Sequence, residues 1–153
     1  MNSNAMNTNT KLPEKKLYII LISCAIIILA ASLEVMIRVK DLALFEEWVK
    51  TSQLVGDRSD LLSQYISLNL SAFFSKIIVP VTFGIYTYYA YIKIRINALY
   101  VFMWSVLSLG GLAYTIIELQ LNSILYYVSI LGYIVLLFTI LSLVDTIRDE
   151  KSK

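Results

Sequence analysis

Residues 119–144 read LQLNSILYYVSILGYIVLLFTILSLV, with no Asp, Glu, Lys or Arg among them. The hydrocarbon core of a bilayer is about 30 Å thick, so a helix that crosses it needs about 20 mostly apolar residues. This stretch is long enough to cross once. Three further runs have the same character. Leu17 to Ile37 carries Glu34 as its one charge, while Ile77 to Ile92 and Ile96 to Ile117 carry none. The run at Ile77 reaches spanning length when its helix starts near Ala72. The expected fold class is therefore all-α: a polytopic membrane protein with four transmembrane helices at about 16–38, 72–93, 97–118 and 122–146.

Composition agrees. Apolar residues make up 58% of the chain and charged residues 16%, against about 25% charged in an ordinary soluble domain. Mean hydropathy is +0.72. In a chain of 153 residues these four helices form a single membrane domain over 16–146. Short tails are expected at 1–15, polar and disordered, and at 147–153. A net charge of +2 is too small to suggest a nucleic-acid partner.

The missing residue types narrow the chemistry. The chain has no histidine, and its one cysteine, Cys24, sits inside the first apolar run. An internal disulfide is impossible. Histidine-ligated haem, His/Cys zinc sites, Cys-x-x-Cys redox chemistry and Ser-His-Asp catalysis are excluded. No catalytic, cofactor-binding or metal-ligating residue is expected, and the chain is not read as an enzyme. Cys24 reads as a small residue for helix packing.

Lysine and arginine set the orientation. Lys11, Lys15 and Lys16 precede the first helix, Lys93 and Arg95 fill the short turn between the second and third, and Arg148, Lys151 and Lys153 follow the fourth. The opposite side has Arg38, Lys40, Lys50, Arg58 and Lys76, spread over a longer segment that is rich in Asp and Glu. The positive-inside rule then places both termini in the cytoplasm of a multi-pass cell-membrane protein. The bias toward Asn, Ile, Lys and Tyr suggests a low-GC bacterial genome. Clustered aromatic residues, among them Tyr88, Tyr89, Tyr100, Trp104 and Tyr126, read as interfacial belts.

Residues 41–70 are the one sizeable stretch outside the four runs. They hold a single glycine and no proline. Leu42, Phe45, Trp48 and Val49 recur at helical spacing. After Gly56, Asp57 is placed to cap a second helix whose apolar face is Leu61, Leu62, Tyr65 and Ile66. Two amphipathic helices are expected here as an outer cap, the second running into the second membrane helix. Phe45, Trp48 and Tyr65 are the candidate partner surface.

Inside the bundle, Pro80 removes one backbone hydrogen bond and Gly84 follows one turn later, which makes the pair a candidate hinge. Glu34, Arg38, Lys76 and Glu118 are the candidate polar or ion site, near the outer boundary. Ionisable groups at membrane depth are functional candidates by default, and Arg38 follows Glu34 by four residues, the favourable order for a helical acid–base pair. The leading functional expectation is a small integral membrane protein that acts by binding. It would serve as an accessory, regulatory or immunity-type subunit of another membrane protein, or as a homo-oligomer, with the lipid bilayer as its other partner. The alternative is a small transporter or channel for a proton, cation or small molecule that uses Glu34. A membrane enzyme without His or Cys chemistry comes third.

Overall fold

The computed structural model describes residues 10–118, 120, 121 and 123–151, the last two by their backbone alone. Its five helices are α1 (Glu14–Lys40), α2 (Leu42–Thr51), α3 (Arg58–Ile92), α4 (Ala98–Ile117) and α5 (Ile124–Lys151). The helices α1, α3, α4 and α5 are each long and apolar enough to cross a membrane. Helix α1 packs along both α3 and α5, and α5 packs along α4. The described segments that precede α1 and end α5, together with the α3–α4 turn, lie at one end of the bundle, called proximal here. Helix α2 and the α4–α5 turn lie at the other, distal end.

The core follows one rule in all four long helices. On α1 the buried residues include Leu17, Ile20, Cys24, Ile27, Ala31 and Glu34, in alternating steps of three and four. On α5 they run Tyr126, Ser129, Tyr133, Leu136, Ile140, Leu143 and Ile147 in the same steps. Pro80, Phe83, Thr87 and Ala90 do so on α3. Val101, Trp104, Ser108 and Thr115 do so on α4, with Gly111 in the missing step. A repeat averaging 3.5 residues keeps one seam of each helix facing its neighbours, as in left-handed bundles. The opposite faces stay apolar and exposed, as at Leu29, Ile78, Leu109 and Phe138.

Small residues admit the close approaches. A Cβ on Gly132 would lie 2.7 Å from Ile27 of α1, and one on Gly111 would lie 2.7 Å from the Tyr133 hydroxyl and 2.9 Å from its ring. Gly84 faces Cys24 and Leu21 of α1, where an added Cβ would make ordinary 3.8 Å contacts. Pro80 lies inside the unbroken α3 and is buried. Its missing N–H would have bonded the carbonyl of Lys76 four residues back. That carbonyl instead accepts the Tyr133 hydroxyl at 3.3 Å, so α5 satisfies the group that the proline frees. The expected hinge, Pro80 and Gly84, is a packed position at which α3 meets α1 and α5.

The second cap helix and the membrane helix expected at 72–93 form one continuous helix, α3. At about 1.5 Å per residue its 35 residues run about 52 Å, well beyond one hydrocarbon core. The expected helix at 122–146 continues to Lys151, past the start of the tail expected at 147–153. Ile147 is buried, and Lys16 donates to the Ser142 carbonyl at 2.6 Å and the Thr146 hydroxyl at 2.8 Å, which ties this extension to α1. The tail expected at 1–15 is anchored where it is described. Thr10 and Ile96 exchange two backbone hydrogen bonds of 2.8 Å, Leu12 is buried, and Lys11 sits 5.8 Å from the Tyr91 ring centroid. Residues 1–9, 152 and 153 of the two tails lie outside the described residues.

At the distal corner Asp41 ends α1 and caps α2, accepting from the amides of Ala43 at 2.9 Å and Leu44 at 3.3 Å. Gln53, with φ of 49°, takes the left-handed conformation that lets the chain turn out of α2. Asp57 caps α3, and its bonds from Ser59 hold its carboxyl below the usual carboxylate range. A depressed carboxyl stabilises the fold above its unfolded value, and that contribution is lost as pH falls through the folded value. The first turn of α3 should therefore fray first on acidification. Protection factors of the Ser59 to Leu61 amides, corrected for the intrinsic exchange rate at each pH, should fall on acidification, and Asp57→Asn should remove most of that pH dependence.

The two adjacent glycines of α4 give a sharper test. Nothing lies within 4 Å of a Cβ on Gly110, whereas Gly111 abuts the buried Tyr133 ring. Gly111→Ala should destabilise the bundle by about 1–3 kcal/mol through overpacking. Gly110→Ala should be neutral or stabilising, because alanine is the better helix former. Thermal unfolding in detergent separates the two, and equal shifts would contradict this packing.

Candidate functional site

Carrying the core spacing one step toward the distal end changes its chemistry. The step after Ala31 on α1 is Glu34, the step before Pro80 on α3 is Lys76, and the step after Thr115 on α4 is Glu118. These side chains form one layer. The Lys76 ammonium lies 2.9 Å from Glu34 Oε2 and also pairs with Glu118 Oε2. The side chains of Glu34 and Lys76 are only 6% and 10% exposed, and that of Glu118 is 18% exposed. Glu118 also accepts from the Gln120 side-chain amide at 2.8 Å. The layer therefore holds two carboxylates and one ammonium among apolar neighbours.

Glu34 is not fully satisfied. Its Oε1 is buried and has no hydrogen-bond partner. The helical pair expected between Glu34 and Arg38 is not formed: among the described residues Glu34 is held by Lys76, and no ion pair of Arg38 is recorded. Lys76 reaches Glu34 across the α1–α3 contact at core depth, while Arg38 lies one turn further out and lines the opening. A cleft of about 580 Å³ opens there between the end of α1, the start of α2 and the α4–α5 turn. Glu34, Arg38, Asp41, Glu118 and Gln120 supply its polar lining, and Ile37, Leu44 and Leu121 its apolar walls. The four candidate polar residues thus meet at one place, with Lys76 as the hub and Arg38 at the rim. Asp41 and Gln120 join them because the distal turns fold over the layer. Among the described residues no group of His, Cys, Asp and Glu has the arrangement of a metal site.

The candidate partner surface is arranged differently. Phe45 and Tyr65 are buried against each other, with ring centroids 5.6 Å apart, and Trp48 packs beside Tyr65 at 5.5 Å. The Tyr65 hydroxyl donates to the Arg38 carbonyl at 3.2 Å. These rings fasten α2 to α3 and to the end of α1, and of the three only Trp48 is partly open. A groove of about 420 Å³ runs beside them, lined by Trp48, Leu44, Leu68 and Asn69. The expected aromatic belts also divide. Tyr18, Tyr88, Tyr89 and Tyr127 are exposed, whereas Tyr100, Trp104 and Tyr126 turn inward. Tyr100 bonds Thr87 at 2.8 Å, and its ring and that of Trp104 pack with Phe83 and Tyr86 where α3 meets α4.

No protein-family model matches this chain, and neither the curated proteins nor the solved structures contain a match.

Removing one partner from a buried ion pair leaves an uncompensated charge and costs about 3–5 kcal/mol. Lys76→Met should lose stability on that scale, because it strands two carboxylates. Adding Glu34→Gln and Glu118→Gln to Lys76→Met should recover a large part of the loss. Thermal unfolding of the single and triple variants in one detergent measures both, and a triple variant no more stable than the single one would show that the layer is not electrostatically coupled.

Proposed function

We propose that this chain is a multi-pass protein of the cell membrane, with both termini in the cytoplasm and the distal end outside, and that it acts by binding. In this reading it is an accessory, regulatory or immunity-type subunit that engages another membrane protein or a second copy of itself through its outer cap. The observation that carries the reading is the filled interior. From Leu17 and Leu143 at the proximal end to Ala31 and Thr115 below the ionic layer, buried side chains close the seam between the helices. A transport acid needs access from both sides during its cycle. Glu34 lies under the distal cleft with Lys76 on one oxygen, and the packed seam lies beneath it. The charge asymmetry supports the orientation, and α2 with the first turns of α3 gives a folded surface outside the hydrocarbon.

One observation favours a second reading. The unpartnered Glu34 Oε1 beside an open cleft is what a small cation or proton carrier would present on its outward side. Flux decides between the two. Proteoliposomes of the wild type should show no proton or monovalent-cation flux above empty liposomes. A flux that Glu34→Gln abolishes would replace binding by transport. A photo-crosslinker at Leu44 or Leu68 on the cap, introduced in living cells, should give discrete adducts of higher mass. A crosslinker at the exposed Phe138, on the lipid-facing side of α5, should not.

Orientation has its own check. Cysteines at Gly56 and Ile94, each in a Cys24→Ala background, should differ in reaction with an impermeant thiol reagent on intact cells. Ile94 is exposed in the proximal turn and makes no cap, whereas Asn97 of the same turn accepts from the Tyr100 amide at 2.8 Å to cap α4. Labelling at Gly56 alone fits the proposed orientation, and labelling at Ile94 alone would invert it.

A further inference from the structure

The distal cleft presents two unmet needs on one face of α1. Glu34 Oε1 is a buried acceptor that lacks a donor. Arg38, one turn further along, lines the same cleft with a guanidinium for which no carboxylate partner is recorded among the described residues. Four residues of helix separate them by about 6 Å along the axis. In the ionic layer two carboxylates share the one ammonium of Lys76, and Arg38 lines a small pocket with all three. In a poorly solvated place an unpaired charge and an unbonded acceptor are both costly.

We propose that the cleft holds a primary-ammonium phosphate, the zwitterion of an ethanolamine phosphate group. The ammonium would donate to Glu34 Oε1, the acceptor that lacks a donor. The phosphate would meet the Arg38 guanidinium, whose planar fork suits phosphate oxygens. Asp41, which also lines the cleft, uses its Oδ1 to cap α2. The cleft volume of about 580 Å³ is in the range of small-ligand sites, about 300–1,000 Å³. Ile37, Leu44 and Leu121 give it apolar walls where a glycerol or acyl segment would lie. The chemistry discriminates sharply. Oε1 needs a hydrogen-bond donor, which a primary ammonium supplies and a quaternary choline lacks. The same zwitterion comes from two sources, a membrane lipid or a free ethanolamine phosphate. The inference deepens the binding reading and rests on it for placing the cleft at a membrane face.

Purified full-length protein in detergent should be tested with short-chain phosphatidylethanolamine, phosphatidylcholine and phosphatidylglycerol, and with free O-phosphoethanolamine, by native mass spectrometry and thermal shift. Phosphatidylethanolamine should be retained about tenfold over phosphatidylcholine, the worth of one charge-assisted hydrogen bond. Glu34→Gln should erase that preference. Arg38→Gln, at a half-buried rim position, should weaken ethanolamine phospholipid binding about tenfold. Binding of free O-phosphoethanolamine in competition with the lipid would support the proposal with a soluble source, and binding of the lipid alone would support it with a membrane source. Equal retention of ethanolamine and choline lipids, or an Arg38→Gln protein that binds as wild type does, would overturn it. Flux and crosslinking read different observables, so the binding reading can fail while headgroup selectivity survives, and the reverse.

Discussion

Lys76 places one ammonium between two carboxylates that come from different helices, and the arrangement of the distal half depends on that contact. In hydrocarbon the apolar faces of helices gain little from meeting each other, since lipid is as apolar as they are. Packing shape and polar contacts decide which faces meet. Lys76 on α3 reaches Glu34 on α1 and Glu118 at the end of α4. Its backbone carbonyl is held in turn by Tyr133 of α5. A single residue thus touches all four long helices. Pro80 is part of the same arrangement, because it frees the carbonyl that Tyr133 occupies.

The sequence made the four long helices legible, since charge-free runs of that length have few other uses. It also showed the two cap helices, through the spacing of Phe45 and Trp48 and of Leu61 and Tyr65, and it singled out Glu34, Arg38, Lys76 and Glu118. The pairing among those four was not legible. Helical spacing favours Glu34 with Arg38, but Lys76 occupies the core position facing Glu34, and contact across a seam overrides proximity along a helix. One signal would have found it. Steps of three and four through Leu17, Ile20, Cys24, Ile27 and Ala31 lead to Glu34, and the same steps on α3 and α4 lead to Lys76 and Glu118. The aromatic residues were harder to place, because belt and core positions share the same residue types. Tyr100 and Trp104 face α3, while Tyr88 and Tyr89 face outward.

The tails and caps show the same limit from another side. A polar N-terminal segment reads as disordered until Leu12 finds a buried place and Thr10 pairs with Ile96. Neither contact has a local signature, because its partner lies more than eighty residues away. The same holds for Phe45 and Tyr65. Two aromatic residues on amphipathic helices look like a docking surface when each helix is read alone, and become a small core once α2 folds back on α3. Secondary structure depends on local pattern and was readable. Long-range pairing depends on which faces meet, and one chain carries little information about that.

The ionic layer also bears on why the bundle adopts one arrangement. Apolar heptad seams are nearly degenerate, because sliding a helix by one repeat replaces one set of branched side chains with another. Here such a slide would carry Lys76 away from both carboxylates and leave three charges facing Leu, Ile or Phe. Each would then bear a desolvation cost of several kcal/mol with no partner to offset it. Buried polar groups fix register in coiled bundles by this penalty on the alternatives. The layer's distal position follows from the same energetics. At the centre of the hydrocarbon the carboxylates would have no access to water, whereas beside the open cleft they retain partial access on one side. That compromise leaves Glu34 Oε1 buried on a residue that lines the cleft. One feature therefore serves both roles: the charges that select the register also create the unmet acceptor at the mouth of the cleft.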